Sequence, residues 1–214
     1  MLTVATLFWQ SNSRSRDFSR IYSQTWVERL YQGFKRNLTS SFRFVCFVDK
    51  EYPLPPPIHQ IMIQAKRPDY STCIEPYILG SPMILCGLDT VVVGNIDPLA
   101  EYCLNETKLA LPRDPYHPKI ACNGVALVPS GYRKVAVEHR GQNDMEWVRR
   151  YPHVFIDDLF PGWVQSYKGH IEQHGLDDTR IVYFHGKKKP HELKQHDWIQ
   201  KHWIGDKNVG QVHS

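Results

Sequence analysis

The sequence predicts an α/β protein built as one domain on a mostly parallel, Rossmann-like central sheet flanked by helices. Residues Leu2–Phe8 and Phe42–Val48 are continuous apolar runs without alternation, which is typical of strands buried on both faces. Between them, residues 18–34 carry apolar side chains at helical spacing. Strand, helix and strand with short connections form a βαβ unit, which implies parallel strands and a right-handed crossover.

The other elements are shorter and follow one another along the chain. The helix over residues 18–34 should begin after Asp17, a suitable N-cap. Further strands are predicted at 58–63, 83–86, 91–93, 109–111, 125–128 and 180–185, and further helices at 72–79, 144–151 and 191–203. Gly80 and Pro82 form a stop signal after the helix at 72–79. The domain is expected to span residues 1–205, followed by a flexible C-terminal tail at 206–214.

Length and composition are those of an ordinary globular protein. The 214 residues are 42% hydrophobic and 22% charged, which argues against a disordered chain. We find no apolar run long enough to span a bilayer and no signal-peptide pattern at the N-terminus. The five cysteines form no Cys-x-x-Cys pair, and most lie in apolar segments, which indicates free thiols in a reducing compartment. These features predict a cytoplasmic protein.

Three residues that could do chemistry follow predicted strands, namely Asp49, Asp89 and His185. Ligands of open α/β sheets bind at the carboxyl ends of the strands. A carboxylate and an imidazole that meet there can bind a divalent cation, and the net charge of +4 suits a ligand that carries phosphate. Asp89 and His185 also have purely structural explanations, because Asp89 could cap a turn and His185 could be a core histidine.

Five segments carry further information, and they lie at residues 37–49, 87–98, 123–127, 141–144 and 182–190. The second reads Gly87-Leu-Asp-Thr-Val-Val-Val-Gly-Asn-Ile-Asp-Pro98, and the last reads Val182-Tyr-Phe-His-Gly-Lys-Lys-Lys-Pro190. In this order they resemble the GT-A fold nucleotide-sugar glycosyltransferases, specifically the bacterial and phage relatives of glycogenin and of the lipopolysaccharide galactosyltransferases. The second segment is similar to the DxD strand of that family, and the last to its C-terminal phosphate motif.

The resemblance implies an enzyme that transfers a sugar from a nucleoside diphosphate-sugar, such as a UDP-sugar, to an acceptor. The implied nucleotide-sugar contacts are Phe8, Trp9, Asp49, Leu88, Asp89, Gly186 and Lys189. The implied ligands of a Mn²⁺ or Mg²⁺ ion are Asp89 and His185. The implied catalytic residues are Asn123 and Asp144, and the implied acceptor side is Asn123, Gly124 and Trp163.

Two of these roles have a simple physical reason. Gly186 has no Cβ, so the backbone can approach a diphosphate closely. Lys189, assisted by Lys187 or Lys188, would stabilise the charge on the leaving nucleoside diphosphate. The alternative for the three lysines is a solvated loop.

The sequence departs from the family pattern at the metal site. Gly87 stands at the first aspartate of the DxD motif, Asn95 stands where an aspartate is common, and residues 141–144 read Gly-Gln-Asn-Asp instead of Gly-Asp-Gln. Fewer charged oxygen ligands weaken the binding of a hard cation. The metal could therefore arrive with the diphosphate of the donor, or catalysis could be metal-independent or lost.

Three hypotheses about function remain open from the sequence. The first is a glycosyltransferase with a saccharide acceptor. The second is a phage-type enzyme that glycosylates a modified base in DNA, for which the mildly basic chain is suited. The third is an inactive relative that binds a nucleotide-sugar or a glycan. The expected location is the cytoplasm of a bacterium or of a phage-infected host cell.

Overall fold

The computed structural model describes residues 1–205, and the predicted tail at 206–214 lies outside the described residues. In chain order the strands are β1 (Leu2–Phe8), β2 (Phe42–Val48), β3 (Ile58–Met62), β4 (Met83–Cys86), β5 (Val91–Val92), β6 (Leu109–Leu111), β7 (Val125–Val128), β8 (His153–Phe155), β9 (Val164–Ser166) and β10 (Ile181–Tyr183). The central sheet has seven strands in the order β3-β2-β1-β4-β7-β6-β8.

Within the central sheet, β7 runs against the other six strands. The parallel pairs are β1 with β2, β1 with β4, β2 with β3 and β6 with β8, whereas β7 is antiparallel to both β4 and β6. The predicted α/β architecture with a mostly parallel sheet flanked by helices is therefore confirmed. The reversal of β7 places its amino end at the same edge as the carboxyl ends of the other strands.

A second, three-stranded sheet has the order β5-β10-β9, with β9 parallel and β5 antiparallel to β10. The strand predicted at 91–93 is thus β5 and does not belong to the central sheet. The two sheets approach closely at Gly124, where an added Cβ would lie 2.5 Å from the Tyr183 ring. This contact brings the end of β10 to the site edge of the central sheet.

The helices cover the sheet and are mostly short. They are α1 (Arg16–Ser19), α2 (Gln24–Asn37), α3 (Asp97–Asn105), α4 (Arg133–Val137), α5 (Asp144–Val148), α6 (Ile156–Leu159), α7 (Glu172–His174) and α8 (Asp197–Ile199). The long helix α2 buries Trp26, Leu30 and Phe34 in the same core as Val4 and Phe44 of the first two strands. Complete burial of one such side chain contributes about 1.5–3 kcal/mol.

The single helix predicted over residues 18–34 is wrong, because the chain forms α1 and α2 with a break between them. The Ser19 hydroxyl donates a hydrogen bond to the Ser15 carbonyl at 2.9 Å, a side-chain contact that competes with continued helix. Asp17 lies inside the first turn of α1 and is not its N-cap. Tyr22 lies in the break and belongs to neither helix.

Other helix boundaries also differ from the predictions. The helix predicted at 191–203 is divided into a 3₁₀ turn (Pro190–Glu192), α8 and a π-helical turn (Gln200–Ile204). The helix predicted at 144–151 is the shorter α5, and α3 is absent from the predictions although it has a proline in its first turn. The segment Tyr70–Leu79 is a 3₁₀ helix that ends at Gly80 with φ of 62°, as the stop signal predicts.

The cysteine side chains form no disulfide bonds in the described structure. All five cysteines are free thiols, and four of them are buried. In the part of the chain that the structure describes, we find no helix that is long and apolar enough to cross a membrane.

Candidate active site

The candidate site lies at the carboxyl edge of the central sheet. Asp49 directly follows β2, and Asp89 lies in the turn after β4, in which the Thr90 amide donates to the Gly87 carbonyl. Cys86 at the end of β4 pairs with Val125 at the start of β7. The antiparallel register therefore brings Asn123, which precedes β7, to the same edge as Asp89.

Asp89 is the most strongly engaged carboxylate at this edge. Its Oδ2 atom accepts hydrogen bonds from the Tyr22 hydroxyl at 2.9 Å and from the Lys189 ammonium at 2.5 Å. The side chains of Asp89 and Lys189 are each 11% exposed, so the ion pair is nearly removed from solvent. Burial and the Asp89 charge raise the pKa of Tyr22 far above its usual range, which keeps its hydroxyl a donor.

Gly87 makes this position of Asp89 sterically possible. A Cβ atom at residue 87 would lie 2.8 Å from the Asp89 Oδ1 atom, closer than real Cβ contacts allow. A side chain at position 87 would therefore require the Asp89 carboxylate to move. The glycine at position 87 and the position of the Asp89 carboxylate are thus sterically linked.

Lys189 differs from the two lysines before it. Lys187 and Lys188 are exposed, and Lys188 forms an ion pair with Glu172 at the surface. Lys189 is buried, and its backbone amide donates to Glu192 Oε2 at 3.0 Å, which fixes the turn after β10. The solvated-loop alternative therefore describes Lys187 and Lys188, and the structure separates Lys189 from them.

His185 lies at the end of β10 and contacts Ser166 at the end of the neighbouring β9. The His185 Nε2 and Ser166 Oγ atoms form a hydrogen bond at 2.6 Å, and Ser166 Oγ also accepts from the Gly169 amide at 3.0 Å. Burial, followed by the charges of Lys168 and Lys189, lowers the pKa of His185. The imidazole is therefore more readily neutral than an exposed histidine.

The residues present do not fit the divalent metal site that the resemblance implies. The Asp89 Oδ2 atom is matched by the Lys189 ammonium group, so a cation on this carboxylate would lie close to another positive charge. Across residues 1–205 the structure holds no group of three or more His, Cys, Asp or Glu residues that could bind a metal ion. A hard cation prefers several charged oxygen ligands, and this edge supplies a cation of its own instead.

Asn123 and Asp144 form a second polar pair. The Asn123 Nδ2 atom donates to Asp144 Oδ2 at 3.0 Å, while the Asn123 Oδ1 atom is buried without a hydrogen-bond partner in the described chain. Burial raises the pKa of Asp144 despite the hydrogen bond from Asn123. Apart from burial, the charges of Asp144 and Asp89 both raise the pKa of the Cys73 thiol, so both carboxylates lie within electrostatic reach of that one thiol.

The residues predicted to hold the nucleotide base are differently exposed. Phe8 and Trp9 are buried, with Phe8 packed on Tyr52 at a ring separation of 4.5 Å. Asp49 is partly exposed, and its carboxylate accepts from the Tyr52 hydroxyl at 2.7 Å and from the Gln10 amide at 3.2 Å. Asp49 is thus held in place at the edge, whereas Phe8 and Trp9 are buried in two different core clusters.

Three further predicted residues are placed in different ways. Leu88 is a buried core residue, and Gly186 is exposed with φ of 73°, a conformation that favours glycine. Trp163 precedes β9, stacks on Phe160 and lies against the Arg180 guanidinium. Because Ser166 is at the other end of β9, the structure does not bring Trp163 to the edge that carries His185.

Sequence patterns miss two residues that matter here, Tyr22 and Ser166. The helical pattern places Tyr22 on an apolar face, and nothing in its spacing indicates that its hydroxyl reaches Asp89. Ser166 lies beside a cavity of about 170 Å³ that is also lined by Arg113, Asp114, Asp157 and Tyr183. A polar cavity next to His185 arises because β6, β8 and β9 all end near it, which no local pattern reveals.

No family model and no curated protein matches this sequence. Among solved structures, the glycosyltransferase GlyE of Streptococcus pneumoniae TIGR4 is similar with a TM-score of 0.56 and 14% identity over 92% of this chain and 60% of GlyE. The bifunctional glycosyltransferase WbbM has a TM-score of 0.58 and 10% identity over 88% of this chain and 46% of WbbM. An active-site mutant of LgtC has a TM-score of 0.56 and 9% identity over 88% of this chain and 89% of LgtC.

These similarities establish the fold, which is the GT-A fold of nucleotide-sugar glycosyltransferases. The chain spans 60% of the length of GlyE and 46% of that of WbbM, so it corresponds to part of each of those proteins. A shared fold carries many activities, and function has to be argued from the site.

Proposed function

We propose that this chain is a glycosyltransferase that transfers a sugar from a nucleoside diphosphate-sugar, in the first instance a UDP-sugar, to an acceptor saccharide. The observation that carries the proposal is the buried Asp89–Lys189 ion pair at the carboxyl edge of a GT-A sheet. The Asn123–Asp144 pair at the same edge supports it. A fixed cation and a buried carboxylate are the groups that a leaving diphosphate and an acceptor hydroxyl require.

The proposed reaction exchanges one bond at the anomeric carbon of the sugar. The bond from this carbon to the diphosphate oxygen breaks, and its electron pair stays on the diphosphate, beside the Lys189 ammonium. The acceptor hydroxyl oxygen forms the new bond, and its proton passes to the Asp144 carboxylate. The raised pKa of Asp144 makes it a stronger base than an exposed aspartate, and the Asn123 amide orients it.

The nucleotide end of the donor is assigned to the first two strands. The partly exposed Asp49 carboxylate has lone pairs beyond those used by Tyr52 and Gln10, so it can accept an N–H group of the base. Phe8, Trp9 and Leu88 are buried and would shape the pocket from below. Gly186 leaves its backbone open to the diphosphate.

The Mn²⁺ or Mg²⁺ ion that the resemblance implies has a cost at this site. An ion on Asp89 Oδ2 would have to displace Lys189 and Tyr22, and an ion on Asp89 Oδ1 would lie close to the Lys189 ammonium.

A donor and acceptor screen tests the proposal. The purified chain is incubated with UDP-, GDP- and dTDP-sugars and a panel of saccharides, and the released nucleoside diphosphate is measured with and without Mn²⁺. We expect one donor to be consumed in an acceptor-dependent way, and Asp144→Asn to remove turnover while donor binding remains. Asp178→Asn, at an exposed aspartate, is the matched control and should have wild-type turnover.

The same screen separates the other two hypotheses. Binding of a nucleoside diphosphate without turnover for every donor and acceptor would overturn the enzyme proposal in favour of an inactive binding relative. A DNA acceptor would require salt-dependent binding of duplex DNA in a gel-shift assay, since phosphate contacts release counterions.

A further inference from the structure

The Asp89–Lys189 pair occupies the place where the resemblance implies a metal ion. We infer that the Lys189 ammonium replaces the divalent cation, so that donor binding and sugar transfer by this chain do not depend on a metal. This inference rests on the proposed function and identifies how the leaving diphosphate is recognised. It is carried by two linked features of the site.

The first feature is the charge already present on the carboxylate. Asp89 Oδ2 receives both the Lys189 ammonium at 2.5 Å and the Tyr22 hydroxyl at 2.9 Å. A divalent ion on Oδ2 would have to displace the ammonium, and one on Oδ1 would lie close to it in a nearly dry site, where like charges repel strongly. Breaking a buried pair leaves an uncompensated charge, which is strongly unfavourable.

The second feature is Gly87. The DxD pattern needs a carboxylate at this position, but any Cβ there would lie 2.8 Å from Asp89 Oδ1. The glycine therefore removes one metal ligand, and a side chain in its place would require the Asp89 carboxylate, whose other oxygen contacts Lys189, to move. If the metal site had only been lost, Gly87 and Lys189 would not both have to fit the same carboxylate.

Lys189 has the donors that the replacement requires. An ammonium group has three N–H donors. The hydrogen bond to Asp89 uses one of them, which leaves the others for phosphate oxygens. Asp89 is then a positioning residue that aims the ammonium, with Tyr22 holding the carboxylate. During transfer the electron pair of the broken sugar–oxygen bond remains on the diphosphate, beside the Lys189 ammonium.

The test is the metal dependence of nucleotide binding. The full chain is stripped with EDTA, and the binding of UDP, GDP, ADP and dTDP is measured by calorimetry with and without Mn²⁺. We expect the nucleotide that binds to do so with the same Kd within about twofold in both conditions. Turnover with the matching donor should likewise survive EDTA.

Variants of the lysine distinguish replacement of the metal from a structural role. Lys189→Ala should weaken metal-free binding about 10- to 100-fold, the effect of losing a charged hydrogen bond. Because Asp89 is then free, added Mn²⁺ should restore part of that affinity, which it does not do in the wild type. Lys189→Arg should keep metal-free binding, and Lys35→Ala, at an exposed lysine of α2, should change nothing.

The outcomes that overturn the inference are distinct from those that overturn the function. Wild-type binding or turnover that is at least tenfold weaker in EDTA than in Mn²⁺ would overturn the replacement and leave the glycosyltransferase proposal intact. Absence of nucleotide binding both in EDTA and in Mn²⁺ would overturn the replacement of the metal and the glycosyltransferase proposal together. If Lys189→Ala fails to fold, Lys189→Arg together with the wild-type metal titration still decides between them.

Discussion

At the scale of single residues, the site places two carboxylates in different surroundings. Asp89 faces the opposite charge of Lys189, whereas Asp144 faces the neutral amide of Asn123 and has its pKa raised by burial. A pair of like groups with different environments is how active sites divide the tasks of charge stabilisation and proton transfer. Variants of Asp89 and of Asp144 test the two environments separately.

The Asp89–Lys189 pair should behave as a buried ion pair in unfolding experiments. Asp89→Ala leaves the Lys189 ammonium buried without its counter-charge, and we expect it to lower the free energy of unfolding by about 3–5 kcal/mol. Asp89→Ala combined with Lys189→Met should recover much of that loss, because neither charge is then left alone. Urea denaturation followed by fluorescence measures both.

The matched control for this cycle is the exposed pair of Lys188 and Glu172, with side chains 48% and 35% exposed. Glu172→Ala should change stability by no more than about 1 kcal/mol. Strictly additive effects of Asp89→Ala and Lys189→Met would show that the pair is not coupled, contrary to the structure.

The raised pKa of Asp144 predicts a pH dependence with a definite sign. A folded-state pKa above the unfolded value means that the native state holds the proton more tightly, so the contribution to stability is full below about pH 4 and is lost as pH rises through the folded pKa. Asp144→Asn should therefore be at least as stable as the wild type at pH 7, and its relative advantage should shrink toward pH 4. Thermal or urea unfolding across that range measures the difference, and an advantage that grows toward low pH would contradict the raised pKa.

At the scale of elements, the site depends on where helices break and where sheets touch. The break between α1 and α2 brings Tyr22 to Asp89, and a continuous helix over the same residues would hold Tyr22 on an apolar face. The contact of Gly124, just before β7, with β10 brings the turn that carries Lys189 toward the central sheet. Both features depend on how elements are arranged relative to one another, so the sequence pattern of a single element does not reveal them.

Two glycines test this packing with opposite expected signs. Gly124→Ala places a Cβ 2.5 Å from the buried Tyr183 ring, and we expect a loss of about 1–3 kcal/mol in the free energy of unfolding from overpacking. Gly33→Ala in α2 meets Val92 at an ordinary 3.6 Å and should stabilise the protein by about 0.5–1 kcal/mol, since alanine is the better helix former. Chemical denaturation of both variants measures the contrast, and a neutral Gly124→Ala would show that the sheets are less tightly joined.

At the scale of the whole molecule, the candidate site is assembled from distant parts of the chain. Tyr22 and Asp89 are separated by 67 residues, and Asp89 and Lys189 by 100. The central sheet supplies Asp89 and Asn123, while the second sheet supplies His185 and leads into the turn that holds Lys189. The site therefore forms only when both sheets have formed and have docked.

Local patterns in the amino-acid sequence are sufficient to predict the class of fold and the edge at which chemistry should be sought. Buried strands such as β1 and β2 are continuous apolar runs, and α2 has one apolar face, so local periodicity reports the burial that each element needs. The same patterns place Asp49, Asp89 and His185 after strands, and residues that follow parallel strands share one edge. The role of Lys189 beside a diphosphate, in contrast, is implied only by the resemblance and not by these patterns.

The contacts that those residues make depend on the folded chain as a whole. The resemblance implies a metal ligand at Asp89, but its oxygen faces Lys189 and Tyr22, and Trp163, expected near the acceptor, precedes the strand whose far end carries Ser166. Side-chain partners 67 to 100 residues apart are chosen by sheet order, register and helix breaks, which are cooperative properties of the tertiary structure. Periodicity records whether a residue is buried and carries no information about which distant charge it meets.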